Sequence, residues 1–122
     1  MMKRLLPLLS ASLLLLLPLT ACTSQADQII NTQTEVLIQD PTNVSALIER
    51  GNAFRDKDAV TQALADHTRA IELEPNSFRA YIARGQDYLD LKQYENALKD
   101  YSKAIEINPD SLVAFAKRGQ TR

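Results

Sequence analysis

Cysteine is nearly missing from this 122-residue chain: Cys22 is the only one, so no disulfide forms within it. Histidine is as scarce, with His67 alone, and one His with one Cys assembles no metal constellation beyond carboxylates. There are three glycines, Gly51, Gly85 and Gly119. None belongs to a phosphate-cradling loop or a nucleophile turn. Charge of one sign is missing too, with 14 basic against 15 acidic residues. No basic patch carries interleaved aromatics, which argues against nucleic acid as a partner. No proline-rich or low-complexity linker interrupts the chain, and the length excludes a second domain. The sequence implies no cofactor, no metal and no catalytic residue, and the expectation is that the protein is not an enzyme.

What the chain does contain is one 34-residue unit written twice. Val44–Ser77 aligns with Phe78–Ser111 without a gap, and 13 of the 34 positions are identical. Ala46, Ile48, Arg50 and Gly51 return as Ala80, Ile82, Arg84 and Gly85. Ala63, Leu64, Asp66, Ala70, Ile71, Glu72 and Pro75 return as Ala97, Leu98, Asp100, Ala104, Ile105, Glu106 and Pro109. A fixed period of this length predicts stacked repeats.

Each unit predicts two helices and a short turn. Tyr81, Arg84, Gly85 and Tyr88 recur at helical spacing, as do Tyr94, Ala97, Leu98, Tyr101, Ala104 and Ile105 after a turn at Leu91–Gln93. Asn108-Pro109-Asp110 ends the second helix, because proline has no backbone donor and disfavours helix before it. Ser111 is placed to cap the next one. A glycine within a helix costs about 1 kcal/mol relative to alanine, so Gly51 and Gly85 predict a close approach of the paired helices. Phe54, Tyr88, His67 and Tyr101 are expected to fill the space between them. Asp66-His67 is the counterpart of Asp100-Tyr101, and a position that accepts tyrosine is a packing position. With neither a positioned partner nor a cleft indicated, His67 reads as structural. Arg50, Arg84 and Arg118 are expected to lay their stems against a neighbouring hairpin, within reach of Asp66 or Asp100.

These units resemble tetratricopeptide repeats. The second supplies Tyr81, Gly85, Tyr88, Ala97, Tyr101, Ala104 and Pro109 in that motif's order, and the first supplies Leu47, Gly51, Phe54, Ala63, His67, Ala70 and Pro75. The first departs at Leu47 and His67, both large enough to pack. The resemblance implies an all-α solenoid of helix-turn-helix repeats in a short right-handed superhelix, with two full repeats (44–77 and 78–111) and partial ones at both ends. Residues 28–43 read as a degenerate half-repeat whose helix spans Gln28–Asp40, with Ile29, Val36 and Pro41 in the places of Ala63, Ala70 and Pro75. Residues 112–122 begin a third unit, with Phe115, Arg118 and Gly119 in register. They read either as a capping helix or as the start of a repeat in a longer chain.

The resemblance also implies a concave groove lined by the first helix of each hairpin, where extended partner segments bind. The positions carried over are Ser45, Ile48, Asn52 and Arg55; Arg79, Ile82, Gln86 and Leu89; and Val113, Lys117 and Gln120. Amides there suit an extended backbone, and apolar side chains take up alternate side chains. Of the Lys and Asn clamp by which chaperone-binding members hold a C-terminal carboxylate, only Asn52 and Lys117 fall in comparable places. Ile48, Ala83 and Val113 occupy others, so that clamp is not expected.

The N-terminus carries a second resemblance. Lys3 and Arg4 precede the apolar run Leu5–Leu19, the form of an export signal. As a helix, Leu5–Ala21 would span about 26 Å at 1.5 Å per residue, short of the roughly 30 Å hydrocarbon core of a membrane. Leu19-Thr20-Ala21-Cys22 resembles the bacterial lipobox. It implies removal of residues 1–21 by cleavage between Ala21 and Cys22, and a diacylglyceryl group on Cys22, a palmitate-type anchor. Residues 22–27 are read as the lipidated cysteine and a tether. Thr23 in place of aspartate resembles outer-membrane routing, facing the periplasm if the cell is Gram-negative. The leader takes Lys3 and Arg4 with it, leaving twelve basic and 15 acidic residues. The reading is a lipid-anchored scaffold for another protein of the bacterial cell envelope. The alternative is a self-associating structural or assembly subunit, or a piece of a longer repeat protein.

Overall fold

The structure, a computed structural model, describes residues 23–122. The leader, Ala21 and Cys22 lie outside the described residues. Six helices follow one another: α1 Gln25–Gln39, α2 Val44–Asp56, α3 Val60–Leu73, α4 Phe78–Asp90, α5 Tyr94–Ile107 and α6 Leu112–Thr121. Helices α2 and α3 pair as one hairpin and α4 and α5 as the next, with α1 packed on α2 and α6 on α5. No strand occurs among the described residues.

The first helix starts earlier than the sequence suggests. Ser24 Oγ accepts from the Asp27 backbone, and Asp27 Oδ2 accepts from the Ser24 N–H at 3.2 Å. This capping box satisfies two helix-end donors at once. It draws Gln25–Asp27 into α1, so most of the expected tether is helix. Asp27 also pairs with Lys57 at the end of α2. Hydrogen bonds from Lys57 and Ser24 lower its pKa to about 2.

Helix starts and stops obey the period. Asn43, Ser77 and Ser111 cap α2, α4 and α6 by accepting from the backbone N–H three residues on. Each follows a proline by two residues. Helices α3 and α5 have no side-chain cap, and the turns before them do that work. Asp58 and Lys92, one period apart, both take positive φ, 60° and 59°. Ala59 N–H bonds Phe54 O at 2.9 Å and Gln93 N–H bonds Tyr88 O at 2.8 Å. That is a left-handed helix stop built without glycine.

The core runs through the layers rather than around a centre. Leu37 of α1 meets Ala46, Leu47 and Ile48 of α2, Ala70 and Ile71 of α3, and Ala80 of α4. Ala63, Ala70, Ala97 and Ala104 have no exposed surface, so the second helices press their small faces closely against neighbours.

The glycines show why they recur. A Cβ placed on Gly51 would lie 2.5 Å from the His67 ring, and one on Gly85 would lie 2.5 Å from Tyr101. Both rings are fully buried. Each hairpin therefore closes by laying an aromatic ring flat against a glycine, more specific than close axes alone. Phe54 and Tyr88 are only partly buried. They sit beneath guanidinium groups, Arg50 at 5.8 Å from the Phe54 ring and Arg84 at 5.6 Å from Tyr88.

Candidate functional site

Arg50 and Arg84 brace their hairpins through Asp66 and Asp100, the partners the sequence placed within reach, and Arg50 also donates to Thr34 Oγ1 of the neighbouring α1 at 3.2 Å. Arg50 Nε and Nη2 each donate to Asp66 at 2.8 Å. Arg84 donates to Asp100 at 2.7 and 2.8 Å. Such two-pronged pairs fix geometry as well as adding energy. The hydrogen bonds to Asp100 raise the Arg84 pKa above its ordinary value. The pairs hold α2 to α3 and α4 to α5, and so set the angle at which the first helices face outward.

Those first helices form a groove of about 310 Å³ lined by Ile48, Asn52, Arg55, Phe78, Arg79, Ile82, Ala83, Gln86 and Lys117. Seven of the eleven expected positions line it. Ile48 contributes least, since it is only 3 % exposed and belongs to the core. Ser45, Leu89, Val113 and Gln120 stand apart. Ser45 hydrogen bonds Glu49 on its own helix, and Val113 is 56 % exposed. Phe78 and Ala83 enter the wall without having been expected as contacts. Phe78 opens its helix directly after the Ser77 cap, a position that rolls toward the preceding hairpin only once the hairpins stack.

Two features give the groove its chemistry. Arg55, Arg79 and Lys117 line it and no carboxylate does. Asn52 Oδ1 and Gln86 Oε1 are buried with no hydrogen-bond partner among the described residues. Buried acceptors without partners are uncommon and costly. Here they stand one repeat apart in equivalent positions. The Gln86 amide is held from the other side, its Nε2 donating to Asp90 at 3.1 Å. Arg55 is steadied by the Ala83 carbonyl and by Asp87, 3.7 Å away.

Behind the groove lies a polar pair the sequence did not disclose. His67 Nδ1 lies 2.5 Å from Asp87 Oδ2, and Nε2 lies 3.3 Å from Ile48 O. His67 therefore has a positioned carboxylate partner, contrary to expectation, but from the next repeat rather than from Asp66. Both side chains are wholly buried, so no substrate reaches them, and the pair locks α3 to α4. Burial pushes the Asp87 carboxyl above the usual carboxylate range, with the His67 hydrogen bond opposing. Asp87 Oδ1 and Tyr101 Oη have no hydrogen-bond partner among the described residues. No group of three or more potential metal ligands occurs among them. None of their helices is long and apolar enough to cross a membrane.

No curated protein matches the chain significantly. The Arabidopsis OM64 TPR domain is 26% identical over 80% of this chain and 81% of its own, with a TM-score of 0.77. The first TPR domain of human RPAP3 is 26% identical over 80% and 76%, with a TM-score of 0.78. The first TPR of Spaghetti (RPAP3), bound to an HSP90 peptide SRMEEVD, is 26% identical over 80% and 77%, with a TM-score of 0.77. The tetratricopeptide repeat family model matches residues 78–111, the second of the two units, and the whole described chain is an all-α solenoid of the tetratricopeptide-repeat fold.

Proposed function

We infer that the protein is an interaction scaffold that holds an extended segment of a partner protein in the groove of α2, α4 and α6, carried at a bacterial membrane surface by a lipid on Cys22. One observation carries the first half. Asn52 and Gln86 line the groove on adjacent first helices beside the apolar Ile82, and amide side chains there suit an extended backbone while apolar ones take up its side chains. The peptide bound to the similar Spaghetti domain supports the same mode. The cations Arg55, Arg79 and Lys117 favour a segment that is not itself basic. The second half rests on the resemblance of Leu19–Cys22 to the lipobox. Two or three acyl chains exceed what stable anchoring needs, and an envelope address follows, the outer membrane facing the periplasm in a Gram-negative cell.

The test is site-specific photo-crosslinking in the intact envelope, with the probe at Gln86 and a control at Glu95, which is exposed on α5. An adduct with another envelope protein from Gln86 alone is expected. Adducts from both positions, or from neither, would overturn groove binding. Growth with a labelled fatty acid tests the anchor separately: the label enters the protein and is lost in Cys22→Ser. Label retained by that variant, or never incorporated, would overturn it.

A further inference from the structure

We propose that the His67–Asp87 pair is a proton-loaded joint between the two repeats. It holds two protons in the folded chain and gives one up as pH rises, which loosens α3 from α4 and draws Arg55 back from the groove. The geometry of one ring carries this. His67 Nδ1 lies 2.5 Å from Asp87 Oδ2, and Nε2 lies 3.3 Å from the Ile48 carbonyl oxygen. A carbonyl oxygen only accepts, so Nε2 has to carry a hydrogen to bond it. A neutral imidazole has one ring hydrogen, and this contact uses it. The contact of Nδ1 with Oδ2 then needs a second proton, since without it two lone pairs would face each other.

Whether that proton sits on the ring or on the carboxyl, the count is the same. Imidazolium with carboxylate and imidazole with carboxylic acid are both neutral overall, the form that a site cut off from water favours. Both side chains are wholly buried, and burial already pushes the Asp87 carboxyl above its ordinary range. Gly51 makes the arrangement possible. It bares the α2 backbone, and a Cβ there would lie 2.5 Å from Nε2.

The charged neighbours come from each helix packed around the pair. Arg55 of α2 stands 3.7 Å from Asp87 Oδ1. Asp90, further along α4, and Tyr101 of α5 lie within electrostatic reach of Asp87. On α3, Asp66 precedes His67 but is taken up by Arg50. Losing the second proton leaves the pair with a negative charge beside Arg55, and the guanidinium moves inward to meet it. Arg55 lines the groove with Arg79 and Lys117, so the groove becomes less cationic whatever it holds. The sign for stability follows. An unfolded histidine loses its proton near pH 6.5, while the folded pair keeps its own. Below that pH the two states hold equal numbers of protons. Above it folding takes one up from water, and stability falls as pH rises until the folded pair lets go.

His67 is the only histidine, so its ring gives the only imidazole signals in a nitrogen-15 spectrum of the full chain in mild detergent. At about pH 7.5, above the ordinary histidine range, Nε2 is expected to carry a hydrogen and Nδ1 to carry or share one. A bare lone pair on either nitrogen would overturn the proposal. Between about pH 7 and 8 the unfolding equilibrium constant, from urea transitions, should rise several-fold, toward the roughly tenfold limit of a one-proton difference. In His67→Tyr, which places the sister repeat's residue there, the rise should flatten, and an equal rise would overturn the pair as its source. Arg55→Gln removes the cation that competes for Asp87. It should move proton loss from the ring signals to higher pH, and an unmoved loss would overturn the link to the groove.

Discussion

At the scale of single residues, the three glycines are an internal experiment. Gly51 lies against the buried His67 ring, while Gly119 faces open space. Alanine improves helix propensity at either site by about 1 kcal/mol. At Gly51 the added methyl has to displace a packed ring, and overpacking of that kind costs about 1–3 kcal/mol. Gly51→Ala should therefore destabilise by about 1 kcal/mol and Gly119→Ala stabilise by a similar amount, read from urea unfolding midpoints of dilute protein. Equal effects at the two sites would refute the ring-on-glycine account. Tyr101 makes a second prediction. Its pKa is pushed up to about 12 by burial. A tyrosine whose folded pKa is raised stabilises the fold fully below its ordinary value, near 10, and loses that contribution as pH rises toward 12. An ultraviolet titration should show one late phenol, coincident with alkaline unfolding and gone in Tyr101→Phe.

At the scale of elements, the turns between paired helices carry avoidable strain. Asp58 and Lys92 hold positive φ, a conformation that costs an ordinary side chain about 1–2 kcal/mol. Glycine avoids that cost, though its own unfolded-state entropy returns part of the gain. Lys92→Gly should stabilise the protein by about 0.5–1 kcal/mol, seen as a higher thermal midpoint. The opposite holds at the other helix boundary, where Ser77 Oγ accepts from the Ala80 N–H at 3.2 Å. Ser77→Ala should cost about 1 kcal/mol. Both boundaries were legible in the residues. The prolines stop second helices, and the cap two residues later starts the next. The early start of α1 was missed because Ser24 and Asp27 act as a cap only together, and the repeat alignment gave no reason to look upstream of Gln28.

At the scale of the whole molecule, each helix touches mainly its chain neighbours, and stability is a sum of local and nearest-neighbour terms. The centre is pinned twice, by the core cluster from Leu37 to Ala80 and by the buried His67–Asp87 pair. At the end, α6 has Leu112 and Val113 exposed. Hydrogen exchange should be slowest in α3 and α4 and fastest in α6. A uniform rate across all helices would contradict this.

The sequence by itself determined the hairpins, their boundaries to within a few residues, and the roles of Gly51, Gly85, Asp66 and Asp100. All of these depend on contacts within one 34-residue unit, and a unit written twice states its internal rules twice. Only the tertiary structure decided what happens between units. The His67–Asp87 pair joins different repeats and recurs nowhere, since Thr121 stands where the period would place a second aspartate. The rotation of one hairpin on the next decides that Ile48 sinks into the core, that Phe78 and Ala83 reach the groove, and that the amide oxygens of Asn52 and Gln86 are buried without a hydrogen-bond partner among the described residues. Side-chain period assigns a residue to a helix face; the packing angle between helices decides what that face meets.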